Sequence, residues 1–181
     1  MSHSAKQFVP LKVAVVTVSD TRDESNDTSG DYLKTSAEQS GHEVLRKDIV
    51  VDDVYKIRAL VSAHIASPDI QAILITGGTG FTHRDSTPEA MLPLFDKQVE
   101  GFGELFRFLS FQEIGTSTIQ SRAIAGLANG TVIFCVPGST GACRTAWTGI
   151  IEAQLNGEQG PCNFIPHLKQ STAELCKTRQ P

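Results

Sequence analysis

Thr76-Gly77-Gly78-Thr79-Gly80 is nearly bare backbone, and a carboxylate, Asp85, follows five positions after it. Main-chain N–H groups in such a stretch suit an anion, whereas Asp85 repels one. A hard cation lying between them reconciles the two: Mg²⁺ commonly takes one or two carboxylates together with phosphate oxygens. It also neutralises the charge that develops in phosphoryl or nucleotidyl transfer. Asp85 is the first candidate ligand for such an ion, and Asp52, just past the strand-like run ending at Val51, is the second. Blander roles stay open for both. Asp52 or Asp53 could cap the following helix, and Asp85 could be an ordinary turn residue ahead of Thr87-Pro88.

Two further segments offer the same chemistry. VVTVSD (Val15 to Asp20) leads to DTSG (Asp27 to Gly30), and IFCVPGSTG runs from Ile133 to Gly141. Their backbone amides and hydroxyls make Ser19, Asp20, Asp27, Ser29, Gly30, Pro137, Gly138 and Ser139 candidate ligand contacts beside Thr76 to Gly80. Arg84 and Arg122 could bind phosphate or carboxylate bidentately, or be solvated surface groups. The loop after Ile75 lacks the Lys of a P-loop, and three residues after Gly80 stands His83, not Gly, so neither a P-loop nor a Rossmann fingerprint is present. Ser117, Ser121 and Ser139 lie in no G-x-S-x-G elbow, which disfavours a serine nucleophile. The four cysteines form no C-x-x-C pair and read as reduced thiols, and the five histidines have no zinc-type spacing.

The elements that must position these residues follow from hydrophobic patterning. Leu11 to Ser19, Glu43 to Val51, Ala72 to Thr76 and Thr131 to Val136 read as strands, the first a continuous apolar run of the kind buried on both faces. Thr28 to Ser40 reads as a helix stopped at Gly41. Ile57, Leu60, Val61, His64 and Ile65 mark one face of another helix, with His64 read as a packed core residue. Thr87 is the expected N-cap of a helix with Pro88 at its first position. Phe102, Leu105, Phe106 and Leu109 form a further stripe, Ile119 to Leu127 reads as helical, and a last helix is expected from Thr140 to Leu155. Strands alternating with helices imply an α/β fold, with helices on both faces of a mainly parallel sheet. Such sheets gather their functional loops at the carboxyl edge of the strands. The aromatic residues Phe81, Phe102, Phe106, Phe108 and Phe111 could serve either the core or a contact between subunits.

A chain of 181 residues fits one domain, and its net charge of −4 argues against nucleic acid as the main partner. The first ten residues lack the apolar core of a signal peptide, and no apolar run approaches the roughly 20 residues that span a bilayer. A cytoplasmic location with no membrane partner is expected. The expected organisation is an N-terminal extension over 1–10, one domain over 11–169 and a loose polar tail over 170–181.

The motifs VVTVSD with DTSG, LITGGTGFTHRDSTPEA, EGFGELFR, GTSTIQSRAIAG and VPGSTGACRTAW together resemble the MoaB/MogA family of molybdenum cofactor biosynthesis proteins. They span Leu11 to Lys169. The resemblance implies a three-layer α/β fold and a homo-oligomer, trimeric or hexameric. It implies a site that binds molybdopterin, a pterin dithiolene with a terminal phosphate, and transfers AMP to that phosphate from Mg-ATP. The family's two important acidic positions fall on Asp52 and Asp85, which would carry catalysis and the metal. Its ligand-binding segments fall on Thr76 to Gly80, on Ser121 and Arg122, and on Pro137 to Ser139. The retained HRDSTP and VDD segments favour an active adenylyltransferase over the alternative, a catalytically silent protein that holds or carries molybdopterin.

Overall fold

The computed structural model describes residues 7–170. Strands Lys12–Val18 (β1), Glu43–Val50 (β2), Ala72–Thr76 (β3), Lys97–Gln98 (β4), Ile124–Ala128 (β5) and Thr131–Val136 (β6) form one sheet in the order β2-β1-β3-β6-β5-β4. The four strands from β2 to β6 run parallel, and β5 and β4 are added antiparallel at the far edge. Helices Thr28–Gln39 (α1), Val54–Ala66 (α2), Thr87–Met91 (α3), Glu100–Ile114 (α4) and Thr140–Ala146 (α5) cover it. The last continues through a π-helical turn, Trp147–Ile151, into Glu152–Gln154 (α6), much as the expected helix to Leu155.

Successive side chains of a strand point to opposite faces, and here both faces are covered. Val13 and Val15 join Leu33, Phe102, Phe106, Phe134 and Trp147 in one core, while Ala14 and Val16 join Ile57, Val61, Ile75 and Met91 in the other. This is the expected three-layer α/β arrangement. Full burial of each such aliphatic side chain contributes about 1.5–3 kcal/mol, and the doubled requirement explains why β1, β3 and β6 are apolar apart from Lys12 at the start of β1 and the threonines Thr17, Thr76 and Thr131. His64 is a packed histidine, as expected, and its Nε2 lies 2.9 Å from the Asp48 carboxylate.

Four details differ from the expectations. The segment 119–127 is not a helix: Gly115–Gln120 is a 3₁₀ turn and β5 follows it. Ala and Leu in this segment favour helix by local propensity, but β5 and β6 form a hairpin across Asn129-Gly130, both at positive φ (47° and 67°). Asn-Gly is a strong two-residue hairpin signal. Gly126 in β5 also lies under Phe95, whose Cγ would sit 2.3 Å from a Cβ there. Second, Ser86 rather than Thr87 holds the N-cap position of α3, and the Thr87 hydroxyl donates instead to the Gly77 carbonyl at 2.8 Å. Third, the stripe on α4 splits. Phe102 and Phe106 are buried, but Leu105 is exposed with Phe108 and Phe111 on the outer side. Fourth, β4 at the sheet edge had no counterpart in the sequence reading, being only two residues long. The expected extension and tail fall largely outside the described residues, as does Cys176; Cys135 and Cys143 are buried free thiols and Cys162 an exposed one. Among the described residues no helix is long and apolar enough to cross a membrane.

Candidate functional site

The register sets β1, β3 and β6 level at their carboxyl ends, with Thr17 opposite Thr76 and Thr76 opposite Val136. Their loops therefore open side by side, above a cavity of about 480 Å³. Its wall takes Ser19 from the first loop, Asp27 and Ser29 from the start of α1, Thr76 to Gly80 and Asp85 from the second, and Pro137, Gly138 and Ser139 from the third. Ser121 lines it as well. Of the candidate site residues, Asp20, Gly30, Asp52 and Arg122 lie off the wall and act on residues beside it.

The Gly-rich loop has its shape for steric reasons. Gly77 (φ +103°) passes so close to β1 that a Cβ would lie 2.2 Å from the Val18 carbonyl oxygen. Gly78 (φ +62°) would bring a Cβ to 2.6 Å from Asp52 Oδ2 and 2.4 Å from Thr87 Oγ1. These positions need glycine for both φ and space. At Gly30 a Cβ would lie 2.2 Å from Asp27 Oδ2, so that glycine serves the packing of Asp27. Asp27 is buried, caps α1 through Gly30 N (2.9 Å), accepts from Thr17 Oγ1 (2.8 Å) and pairs with Lys47 (3.0 Å).

Asp53, not Asp52, caps α2, accepting from Tyr55 N and Lys56 N. Asp52 turns the other way. Its Oδ1 accepts from Ser86 N at 3.0 Å and from the Ser86 hydroxyl at 2.5 Å, so it meets the loop carrying Asp85 at the very next residue. Burial raises the Asp52 pKa above the ordinary carboxylate value; the charges of Asp85 and Asp20 add to this, and the Ser86 hydrogen bonds oppose it. Burial also pushes the Asp85 carboxyl up, but hydrogen bonds from Thr82, with Gly80 and Arg122 assisting, outweigh it and leave its pKa lowered. Thr82 donates to Asp85 Oδ2 from both its hydroxyl (2.6 Å) and its N–H (2.9 Å). Asp85 is thus both a turn residue and a cavity wall residue.

The other charged groups tie the loops together. Arg84 forms a two-pronged pair with Asp20 (2.9 and 2.7 Å), whose hydrogen bonds lower the Asp20 pKa, and Asp20 in turn accepts from Asp52 N at 3.1 Å. Arg122 donates to the carbonyls of Gly80 (2.7 Å) and Asp85 (2.9 Å), pairs with Glu89, and lies over the Phe81 ring. Its guanidinium thus holds the Gly-rich loop, and among the described residues Arg122 is not part of the cavity lining.

A divalent cation fits this donor set in one manner. Among the described residues no three His, Cys, Asp or Glu side chains group closely enough to cage a metal. Asp52 nonetheless accepts from Ser86, the residue that follows Asp85, and on each carboxylate the two hydrogen bonds from its neighbour fall on a single oxygen. Two carboxylates with coordination left for phosphate oxygens and water is the common pattern for Mg²⁺. Burial is the main reason that the Asp52 pKa is raised, and the charges of Asp85 and Asp20 add to it; that added part is the kind a cation relieves.

Sequence reasoning missed the opposite wall. Phe106, Ser110, Glu113 and Ile114 of α4, with Ser117, Thr118 and Gln120 beyond it, face the cavity together with Gly141, Ala142 and Thr145 near the start of α5. Ser110, Glu113 and Ser117 recur at helical spacing, but only the packing of α4 beside α5 makes that face part of a site. Arg22 was missed as well; it follows the VVTVSD motif by two residues and borders the cavity.

A profile described as "Probable molybdopterin binding domain" matches residues 14–157. The chain is 61% identical to molybdenum cofactor biosynthesis protein B of Escherichia coli strain K12 over 170 residues, 94% of this chain and 100% of that protein. The protein of that name from Halalkalibacterium halodurans is 46% identical over 146 residues, 80% of this chain and 86% of the relative. A crystal structure of molybdenum cofactor biosynthesis protein B matches the fold with a TM-score of 0.80 at 43% identity, covering 82% of this chain and 93% of that one.

Proposed function

Since the chain belongs to the molybdopterin-binding domain family and takes its part in molybdenum cofactor biosynthesis, we propose that it binds molybdopterin and adenylylates the terminal phosphate, using Mg-ATP. One observation carries this reading: Asp52 and Asp85, on the loops after β2 and β3, meet through Ser86 beside a Gly-rich cavity floor. In the reaction a phosphate oxygen of molybdopterin attacks the α-phosphorus of ATP, the bond to the β-phosphate oxygen breaks, and pyrophosphate leaves. Two polyanions must approach, so charge neutralisation and alignment are the principal tasks. Mg²⁺ held by Asp52, Asp85 and phosphate oxygens would supply the positive charge. The loop Thr76 to Gly80 orients its amides and hydroxyls, Arg122 and the Arg84–Asp20 pair hold the loops in register, and no protein nucleophile takes part.

Self-association belongs to the same reading, with a second copy of this chain as the occupant. Phe81, Phe108, Phe111, Ile114 and Ile119 are each more than half exposed. Ile114 also borders the cavity, so a neighbouring copy seated there would abut the site.

The test is incubation of the purified protein with molybdopterin, ATP and MgCl₂, followed by detection of adenylylated molybdopterin and pyrophosphate. Both products are expected. Tight molybdopterin binding without product would replace the enzyme by a silent binder or carrier.

A further inference from the structure

A site that takes phosphorylated ligands needs a cation, and the cavity wall is poorly supplied with them. Among the described residues its acidic groups are Asp27, Asp85 and Glu113, and Arg22 is its one Lys or Arg. The other basic side chains nearby have partners, Lys34 of an adjoining groove only a loose one in Glu38 at 3.9 Å. Lys47 is held between Asp27 (3.0 Å) and Asp31 (2.8 Å), Arg84 is paired with Asp20, and Arg122 is spent on Gly80, Asp85 and Glu89.

Arg22 is in a different condition. Its backbone N–H donates to Ser19 Oγ at 3.1 Å, which fixes the root of the side chain at the cavity rim. A single guanidinium N–H, on Nη1, donates to the Asn26 carbonyl at 2.9 Å, and among the described residues Arg22 has no ion pair. Most of its donor fork is therefore directed to solvent. With Ser19 it also borders a second, polar groove that adjoins the cavity. A planar fork with free N–H groups suits the bidentate geometry of a phosphate, whereas an ammonium offers only a point charge.

We propose that Arg22 is the phosphate-gripping residue of the cavity and confers preference for phosphorylated over dephosphorylated ligands. The inference rests on the proposed function, since it takes molybdopterin and ATP as the sources of phosphate. Binding is measured for wild type, Arg22→Gln and Arg22→Lys with two ligand pairs: molybdopterin against its dephosphorylated form, and ATP against adenosine. Arg22→Gln is expected to lose about tenfold to a hundredfold in affinity for the phosphorylated member of a pair. Binding of the dephosphorylated member should be unchanged, and Arg22→Lys should recover only part of the loss. The pair in which the loss falls identifies which phosphate is gripped. Equal losses within both pairs, or no loss in either, would overturn the proposal. A wild-type protein that binds none of the four would refute the proposed function itself, and this inference with it.

Discussion

Replacing Arg122 by Ala separates a loop clamp from a ligand contact. The guanidinium donates to two carbonyls at 2.7 and 2.9 Å and lies 5.2 Å from the centroid of the Phe81 ring. A hydrogen bond from a charged donor contributes about 1.5–3 kcal/mol net. The low end applies because the side chain keeps 23% of its exposure. The cation–π contact adds about 0.5–1 kcal/mol, and the pair with Glu89, itself 54% exposed, adds little. With water recovering some of the bonding at the two carbonyls, a loss of about 3 kcal/mol remains. In a chain of this size each kcal/mol moves Tm by about 2–4 °C, so Arg122→Ala is expected to melt about 6–12 °C lower. Amide exchange should quicken across residues 79–86, the loop the guanidinium holds. Arg122→Lys keeps the charge but cannot reach both carbonyls, and should recover less than half of the loss. Calorimetry and hydrogen exchange read both effects. A melting temperature within about 1 °C of wild type, with loop exchange unchanged and phosphate affinity lost, would refute the clamp and make Arg122 a ligand contact.

Other outcomes follow from the same geometry. Asp85→Asn should lower adenylyl transfer at least about a hundredfold, the usual scale for losing an electrostatic contact made in the transition state, as read by single-turnover product formation. Stability should respond to the two carboxylates with opposite sign. Asp52 has a raised pKa in the fold, so its contribution is present at low pH and lost as pH rises through the folded value; Asp52→Asn should melt no lower than wild type at neutral pH. Asp85 has a lowered pKa, so its contribution is present above the ordinary carboxylate range and lost on acidification; Asp85→Asn should melt lower at neutral pH, with the difference closing in acid, as a pH series of melting curves would record. Gly78→Ala puts a Cβ 2.6 Å from Asp52 Oδ2 at a φ of +62°; backbone strain of about 1–2 kcal/mol plus displacement of Asp52 should abolish transfer while the circular dichroism of the fold persists. Phe108→Ser with Phe111→Ser should shift the protein to a smaller species in light scattering after size exclusion, since both side chains are more than half exposed in the single chain.

What could be read in advance divides along a physical line. β1, β3 and β6 are buried on both faces, so their composition alone identifies them, and a parallel sheet then forces their loops to one edge. That edge is where Asp85, Ser19 and Ser139 lie. Residues whose roles depend on contacts between distant segments were not legible. Arg122 had the right chemistry for phosphate, yet its partners are the Gly80 and Asp85 carbonyls, 42 and 37 positions away. The strand β5 was concealed by helix-favouring residues, although Asn129-Gly130 marked the hairpin. The wall contributed by α4 needs the packing of that helix beside α5, which no local pattern encodes.

The same division bears on Asp52. As a cap it would have been a local residue whose partners are the next two or three N–H groups, and Asp53 fills that role. Freed of it, Asp52 spans to Ser86, 34 positions on, and keeps its carboxylate half-buried near two other acids. A carboxylate held at electrostatic cost, where a local alternative already satisfies the helix, has a structural purpose only in fixing one loop. An Asn could accept the same two hydrogen bonds from Ser86 through its amide oxygen without that cost. The negative charge is therefore the part that the fold itself does not need, and a cation brought in with a phosphorylated substrate is what would use it.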